Sequence, residues 1–507
     1  MHLLNIKTNK VSDIAIDTYE PDNLVIGEVA WLAEEHENVI VRTFNRVQDE
    51  EKLVLIDAEA ASSEVVRERD GTDGWLDDNL AIQYMSGTDS YLDLSDHTGW
   101  THLYLYPVKG GEPKALTSGK WEVTAILKID AARDLVYYLS TERHSTERHL
   151  YSVNIKTGKK TALVDTKKPG YWTASFSAAA TYYILSYNGP DLPYQELYAF
   201  NSTKPLRTIN DNAALKTKLK DYKLPAVSYL ELKHPDGYTL NARQALPANF
   251  NPRKKYPVLF DPYGGPASQS AQKNWATPAW RTYISSDPEL EYILLTVDNR
   301  GTGFKGREFR STVTGKLGVL ESQDQVWAAQ LYGKRSYVDS DHIVMWGWSF
   351  GGYLTAKTIE QDSGAFSLGL ITAPVSDWRF YDSLYTERYM KTLELNPEGY
   401  AVSSVSKVDG FKNAAGGVLV QHGNGDDNVH YQHTAVLLDT LVAGGVSPAK
   451  LDTMAFTDSD HSIVFHKSSA FLYKQLTAKL YAEKKRKGKS EKHQWTKKWV
   501  EGSIVEM

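Results

Sequence analysis

The 507-residue chain contains no cysteine. This absence excludes structural disulfides, cysteine-ligated zinc, iron–sulfur clusters and a thiol nucleophile. Long apolar runs are also lacking: none approaches the roughly 20 residues that a membrane span needs. The opening sequence MHLLNIKTNKV lacks the apolar core of a signal peptide. We therefore expect neither a membrane span nor an encoded signal peptide in this chain.

A strong charge of either sign is missing as well. The 57 Lys and Arg residues against 63 Asp and Glu residues give a formal net charge of −6, which offers no field to attract a polyanion. We expect no nucleic-acid partner and interpret the Lys-rich tail around Trp495 and Trp499 as solvated, with a nucleic-acid patch as the alternative. No cofactor and no metal ion are expected. The 41% of hydrophobic residues suffices for folded domains.

A short sequence motif recurs through the first two hundred residues. Its leucines stand at positions 3, 53, 103, 150 and 197. Each copy alternates apolar and polar residues around a Gly, Thr or Asn, which predicts two strands joined by a hairpin, and two further strand-like runs separate successive copies. Four short strands in about 40–50 residues are typical of β-propeller blades, which stack because one blade cannot bury both of its faces. The alternative is a β-sandwich with coincidental spacing.

We interpret residues 1–215 as a partial β-propeller of about four and a half blades. The first copy begins at His2 with no strand pair before it. A half blade leaves an unpaired apolar edge, which natural proteins avoid. We therefore expect that the chain is truncated at its N-terminus.

The pattern changes after Val227. Short strands that are apolar on both sides alternate there with amphipathic segments, which predicts a mostly parallel sheet with helices on both faces. We assign residues 216–490 to this α/β domain and residues 491–507 to a C-terminal tail. The boundary is expected in the polar segment 210–225.

The segment Gly347-Trp348-Ser349-Phe350-Gly351 lies between a predicted strand and a predicted helix. In that context G-x-S-x-G is typical of the nucleophile elbow of α/β hydrolases, where a tight turn exposes the serine hydroxyl at the C-terminal edge of the sheet. The N-terminus of the following helix favours developing negative charge. We therefore predict an α/β hydrolase in which Ser349 is the nucleophile.

A serine hydroxyl needs a base to take its proton, and the base needs a carboxylate to orient it. In hydrolases of this type the chain order is serine, acid, histidine. Asp426 and His461 follow Ser349 in that order, each just after a predicted strand. We prefer His461 because it lies between the last core strand and the final helix. Asp427 competes as the acid, and the rivals for the base are His422, His430, His433 and His466.

Acyl transfer also needs donors for the oxyanion of the tetrahedral intermediate. The backbone N–H of Phe350, directly after the nucleophile, is expected to be one of them. The other should come from the loop 261–266 after an early strand, where the phenol of Tyr263 is the candidate. The alternative for Tyr263 is a packed aromatic side chain.

The blade repeat followed by GWSFGGY, HGNGDDNVH and TDSDH resembles the prolyl oligopeptidase clan of serine peptidases, and within it the secreted fungal dipeptidyl peptidases. The resemblance spans nearly the whole chain and is densest from Tyr256 to His461. It implies the catalytic roles given above, with Tyr263 and the Phe350 amide as the oxyanion hole. Several motifs are specific together, including YPVLFDPYGGPASQ, DNRGTGFKG and APVSDWRFYDSLYTERYM.

The resemblance also implies a pocket that accepts proline. An aromatic slot of limited depth suits a pyrrolidine ring, because stacking requires no backbone N–H, which proline lacks. Asn428 would bind the carbonyl of the substrate's second residue. The residues implied for the pocket itself are Val375, Trp378, Tyr381, Tyr385 and Val429.

One feature of the family has no counterpart here. Dipeptidyl peptidases of this clan hold the free amino terminus of the substrate with two adjacent glutamates on an early propeller segment. The pairs Glu34-Glu35 and Glu50-Glu51 lie elsewhere, and we interpret both as solvated turns. Without such a pair, the device that limits release to dipeptides is missing.

The resemblance implies a serine exopeptidase that releases N-terminal X-Pro or X-Ala dipeptides from peptides, that is secreted and that commonly dimerises. The one N-glycosylation triplet, Asn201-Ser202-Thr203, supports secretion only slightly. Two alternatives remain open: an oligopeptidase, acylaminoacyl peptidase or esterase with the same catalytic residues, and a non-catalytic propeller that binds partners.

Overall fold

The computed structural model describes residues 1–32, 38–487 and 502–507. Its N-terminal part contains a two-stranded hairpin and four antiparallel sheets of four strands each, in chain order. The hairpin pairs β1 (His2–Asn5) with β2 (Lys10–Asp13). The four sheets consist of β3 (Leu24–Trp31), β4 (Asn38–Asn45), β5 (Glu50–Asp57) and β6 (Ser62–Asp70); β7 (Gln83–Tyr84), β8 (Ser90–Ser95), β9 (His102–Pro107) and β10 (Lys114–Ala115); β11 (Val123–Asp130), β12 (Leu135–Ser140), β13 (His149–Asn154) and β14 (Lys160–Ala162); and β15 (Trp172–Phe176), β16 (Tyr182–Tyr187), β17 (Tyr194–Ala199) and β18 (Arg207–Asn210).

The repeat coincides with these sheets. Its last four leucines fall on the third strand of each sheet, namely β5, β9, β13 and β17. Neighbouring sheets share apolar clusters: Ile40 of the first packs with Tyr91 of the second, and Leu139 of the third with Tyr183 of the fourth. The predicted four-stranded units that stack on one another are therefore present.

The C-terminal part is built on one nine-stranded sheet with the order β26-β25-β24-β23-β21-β22-β20-β19-β27. The six strands from β26 to β22 in that order are mutually parallel, and β20, β19 and β27 are antiparallel to their neighbours. The strands are β19 (Ala226–Lys233), β20 (Thr239–Leu246), β21 (Tyr256–Phe260), β22 (Ile293–Val297), β23 (Val338–Trp348), β24 (Leu368–Thr372), β25 (Gly417–Gly423), β26 (Leu451–Phe456) and β27 (Ser503–Glu506).

Helices cover both faces of this sheet. One apolar core joins the strands to α4 and α5, and the other joins them to α2 and α10, so the prediction of an α/β hydrolase fold is confirmed. The helices are α1 (Ala213–Leu219), α2 (Trp280–Ser286), α3 (Arg307–Ser311), α4 (Val319–Gly333), α5 (Phe350–Ile359), α6 (Ser383–Met390), α7 (Pro397–Ser403), α8 (Asp409–Asn413), α9 (Gln432–Ala443) and α10 (Ser468–Lys485). No helix within the described ranges has both the length and the apolar character to cross a bilayer.

The last strand, β27, was not expected. It belongs to the segment assigned to a tail, yet its residues pair with Leu230–Lys233 of β19 at the edge of the sheet. Its four residues carry too short a pattern to predict a strand. Trp495 and Trp499, on which the interpretation of the tail rested, lie outside the described residues.

The N-terminal and C-terminal parts share buried contacts. The indole of Trp75, from the segment between the first two sheets, is fully buried within the hydrolase core. Its ring meets that of Tyr389 edge-on, with 4.8 Å between centroids, and the Arg310 guanidinium lies 5.1 Å from its centre. Arg307 donates to Asp73 at 2.6 Å and to the Trp75 carbonyl at 2.9 Å. The two parts are therefore joined by apolar and ionic contacts.

We expect Trp75→Ala to lower the free energy of unfolding by about 3–5 kcal/mol, because it leaves an indole-sized cavity in the hydrolase core. Urea unfolding followed by circular dichroism measures the change. Trp31→Ala is the control, since that indole is 46% exposed. Equal effects of the two substitutions would contradict the burial described here.

Candidate active site

Ser349 occupies a strained turn between β23 and α5. Its backbone has φ 61° and ψ −122°, a conformation that costs a non-glycine residue about 1–3 kcal/mol. A Cβ on Gly347 would lie 2.0 Å from the carbonyl oxygen of Gly351, and a Cβ on Gly351 would lie 2.6 Å from that of Pro262. Both glycines are thus required sterically, and the structure has the strand–turn–helix context in which this motif exposes its serine.

Asp426 and His461 meet at the same edge of the sheet. Asp426 follows β25 and His461 follows β26, and His461 Nδ1 lies 2.6 Å from Asp426 Oδ2. The indole N–H of Trp348 donates to the His461 carbonyl at 3.0 Å. Because Trp348 is adjacent to Ser349 in the chain, this bond holds the histidine loop beside the elbow.

The carboxylate of Asp426 is buried and fully hydrogen-bonded. Its Oδ1 accepts the backbone N–H groups of Asn428 and Val429 at 3.0 and 2.9 Å, and its Oδ2 lies 3.0 Å from His422 Nε2. Burial tends to raise the pKa of Asp426, but the hydrogen bonds with His422 and His461 outweigh burial and hold the pKa well below its usual value. Asp426 is therefore an anion that can orient a histidine.

The rival groups lie in other surroundings. Asp427, His430 and His466 are exposed. Burial lowers the pKa of His433 to about 4, and its Nδ1 accepts the backbone N–H of Ser376. The structure brings none of these four into the Asp426–His461 pair.

His422 has a role that the sequence analysis missed. It is fully buried, its Nδ1 lies 2.7 Å from Thr434 Oγ1, and its Nε2 also lies 2.8 Å from the Val429 carbonyl. It thus contacts the same carboxylate oxygen of Asp426, Oδ2, that His461 contacts. The four-residue spacing to Asp426 was visible in the sequence, but only the fold shows that His422 ends in the interior.

Tyr263 and Phe350 flank the serine. Phe350 is the first residue of α5, and the Tyr263 ring lies 6.0 Å from the Phe350 ring. Burial raises the pKa of Tyr263, and a hydrogen bond with the Ser349 side chain opposes that shift. The loop behind Tyr263 is held by Asp298, which accepts the backbone N–H groups of residues 270 and 271 at 2.8 and 3.0 Å. The phenol is thus placed within reach of the serine hydroxyl.

The aromatic residues of the expected pocket form one cluster. Trp378 stacks on Tyr385 with 5.8 Å between centroids and 17° between planes, and Tyr381 meets Tyr385 at 5.4 Å and 89°. The Tyr381 hydroxyl donates to Asn428 Oδ1 at 2.7 Å. Val375 and Val429 are buried beside this cluster. The two segments that carry these residues, 375–385 and 428–429, therefore face each other.

The adjacent glutamates require one correction. Glu50 is exposed, as expected, but Glu51 is fully buried. Its carboxylate accepts from Arg42 at 2.6 Å and from Arg67 at 2.9 Å, so the interpretation of this pair as a solvated turn is wrong for Glu51. The pair Glu34-Glu35 lies outside the described residues.

The fold and the site define a class of protein: a serine hydrolase of the α/β type with sheets preceding its catalytic domain. Across 1–32, 38–487 and 502–507, no group of three or more His, Asp or Glu side chains is arranged to hold a metal ion. Two family models match the chain. One, described as the dipeptidyl peptidase IV N-terminal region, matches residues 1–194, and the other, described as the prolyl oligopeptidase family, matches residues 275–484. The chain belongs to the prolyl oligopeptidase family.

Individual relatives support this family assignment. The chain is 59% identical over 505 residues to the "Probable dipeptidyl peptidase 4" of Neosartorya fischeri, covering 99% of this chain and 66% of the relative. It is 57% identical over 502 residues to the dipeptidyl peptidase 4 of Trichophyton equinum, covering 98% and 65%. The crystal structure of Porphyromonas gingivalis dipeptidyl peptidase 4 matches with a TM-score of 0.87 and 33% identity, over 95% of this chain and 66% of that one. The chain thus spans about two thirds of the length of these relatives.

A buried carboxyl, Glu321, lies beneath the aromatic cluster. It is fully buried in α4. Burial raises its pKa from 4.5 to about 8. The folded protein therefore retains a proton that the unfolded chain releases, and the stability that this group contributes falls as the pH rises from about 4.5 to about 8.

We expect Glu321→Gln to weaken the loss of stability with rising pH. One proton bound only in the folded state corresponds to about 1.4 kcal/mol of unfolding free energy per pH unit, and glutamine does not titrate. Urea unfolding of both proteins at several pH values between 5 and 8 measures the two slopes. Parallel slopes would show that Glu321 is ionised in the folded state throughout this range.

Proposed function

We propose that this protein is a serine exopeptidase that releases N-terminal X-Pro or X-Ala dipeptides from peptides. The observation that carries the proposal is the 2.6 Å contact between His461 and Asp426 at the sheet edge where Ser349 lies. The similarity to relatives named dipeptidyl peptidase 4 or probable dipeptidyl peptidase 4 supports the same activity.

In the proposed mechanism, His461 Nδ1 remains bound to Asp426, and Nε2 takes the proton from the Ser349 hydroxyl. The serine oxygen attacks the carbonyl carbon of the scissile bond, and the resulting oxyanion accepts hydrogen bonds from the Phe350 N–H and the Tyr263 phenol. The C–N bond then breaks, and the imidazolium gives its proton to the leaving amine. The same histidine then deprotonates a water molecule, whose oxygen attacks the acyl carbon. The bond between that carbon and Ser349 Oγ breaks, the dipeptide is released, and the imidazolium returns the proton to Ser349.

The second residue of the substrate would enter the pocket formed by Val375, Trp378, Tyr381, Tyr385 and Val429. The stacked rings offer flat apolar walls to a pyrrolidine ring or a methyl group and require no hydrogen bond from the backbone nitrogen. Asn428, held by the Tyr381 hydroxyl, would donate through its amide to the carbonyl of that residue. The selectivity for Pro and Ala thus follows from shape.

The N-terminal sheets belong, in this proposal, to a β-propeller placed before the catalytic domain. The four stacked sheets and the match to the dipeptidyl peptidase IV N-terminal region support it. A propeller in this position would restrict the site to unfolded ends of peptides. Secretion and a homodimer are further parts of the proposal. They rest on the resemblance and, for secretion, on the glycosylation triplet that begins at the exposed Asn201.

We expect Ser349→Ala to lower turnover of Gly-Pro p-nitroanilide roughly 10⁶-fold and Asp426→Asn to lower it roughly 10⁴-fold, because each removes one catalytic partner. Steady-state kinetics measure both changes.

Asp427→Asn is the matched control, since Asp427 is the exposed neighbour of Asp426, and it should leave turnover unchanged. Wild-type protein should also be labelled at Ser349 by a fluorophosphonate. Unlabelled protein without turnover would support the non-catalytic alternative, and full activity of Ser349→Ala would refute the proposed nucleophile.

A second experiment separates an exopeptidase from the oligopeptidase alternative. We expect Ala-Pro p-nitroanilide to be hydrolysed at least about tenfold faster than its N-acetyl derivative. An exopeptidase binds the charged amino terminus of its substrate, and the acetylated nitrogen carries no charge that could take its place. Values of kcat/KM for the two amides give the ratio. A ratio near one would favour the oligopeptidase.

A further inference from the structure

The turn between β4 and β5, residues 45–50, touches the helix that carries Tyr385. Nε and one terminal nitrogen of Arg46 donate to the two carboxylate oxygens of Glu387 in α6, at 2.6 and 2.7 Å. Paired bonds of this kind fix the relative orientation of the two groups as well as their distance. A turn of the first N-terminal sheet therefore binds the helix that carries Tyr385, although Arg46 and Glu387 are 341 residues apart in the chain.

Three further bonds join the same two elements. The side-chain amide of Gln48 donates to the Leu384 carbonyl at 2.7 Å, and its oxygen accepts from Arg388 Nε at 2.6 Å. Directly after the helix, Lys391 Nζ donates to Asp49. The turn thus holds α6 near its beginning, in its middle and at its end.

The turn is held by hydrogen bonds of its own. The side chain of Asn45 donates to Asp49 at 2.7 Å and accepts the backbone N–H groups of Asp49 and Glu50 at 3.0 Å. Gln48 is buried, and its carbonyl accepts the backbone N–H of Leu76 at 2.8 Å. A turn held in this way can impose a position on α6 rather than follow it.

Helix α6 carries one wall of the pocket. Tyr385 lies within α6 and stacks on Trp378, and Tyr381 lies two residues before the helix and contacts the Tyr385 ring. The carboxylate of Glu387 is only 11% exposed, so without Arg46 it would be left nearly buried and unpaired, which strongly disfavours the present position of the helix. A shift of α6 would move the aromatic wall.

We propose that the turn 45–50 is a specificity-determining element that sets the width of the aromatic pocket by positioning α6. This inference rests on the proposed function of that pocket. Arg46 and Gln48 are positioning residues, since they act on the substrate only through Tyr381 and Tyr385. The N-terminal sheets would thereby tune the preference for Pro over Ala, in addition to restricting access.

The test uses the full chain carrying Arg46→Ala or Gln48→Ala, with Gly-Pro and Gly-Ala p-nitroanilides as substrates. If the pocket widens, it loses more contacts with a pyrrolidine ring than with a methyl group. Each methylene group bound in a hydrophobic pocket raises kcat/KM about tenfold or more. We expect kcat/KM for Gly-Pro to fall about tenfold, mainly through KM, and the Pro-to-Ala ratio to fall about fivefold. The rate of fluorophosphonate labelling, which needs no occupied pocket, should stay the same.

The control is Asp73→Asn, which breaks another ionic contact between the two parts, the one with Arg307, but does not touch α6. It should leave the Pro-to-Ala ratio unchanged. Combining Arg46→Glu with Glu387→Arg should restore part of the ratio that either change alone removes. An unchanged ratio in both alanine variants, or an equal loss in Asp73→Asn, would overturn the inference.

Hydrogen exchange gives a readout that does not depend on turnover. We expect the amides of 381–391 to exchange faster in Arg46→Ala than in the wild type, while those of α5 keep their protection. Unchanged exchange in 381–391 would overturn the positioning role even if neither amide were hydrolysed. Absence of hydrolysis in the wild type, by contrast, would refute the proposed function alone.

Discussion

A single buried anion organises the candidate site. Asp426 accepts two backbone N–H groups and lies within hydrogen-bonding distance of two histidines. A buried carboxylate remains ionised only when its oxygens accept hydrogen bonds in this way. The bonds that keep Asp426 ionised therefore also fix the ring of His461. The loops after β25 and β26 must both be formed before the histidine can face Ser349.

The aromatic cluster depends on distant parts of the chain for its shape. Its rings are contributed by one short segment, yet its far side is held by the turn 45–50 and by the ring of Trp75. Stacking alone lets the rings slide against one another, because dispersion is not directional. Salt bridges and hydrogen bonds, which are directional, supply the precision that stacking lacks. A pocket read from its lining residues alone would omit these supports.

Much of this architecture was predictable from the sequence. The spacing of the recurring leucines predicted the repeated four-stranded units, and the glycines around Ser349 predicted the elbow, because both patterns express strict local geometry. The roles of Ser349, Asp426 and His461 remain predictions, although the structure brings the last two together. The burial of Glu51 and the bond between Arg46 and Glu387 were not predictable. Each depends on which surfaces meet in three dimensions, and charged side chains look the same in sequence whether solvated or paired.

The placement of Trp75 affects how the protein is made. The segment that carries this indole leaves the ribosome before the domain that buries it has been synthesised, so a large apolar ring stays uncovered until the hydrolase sheet closes around it. The two parts therefore reach their final state together rather than in succession. A fragment that ends near the boundary at 210–225 would expose the indole permanently, and it would be a candidate for aggregation or for chaperone binding.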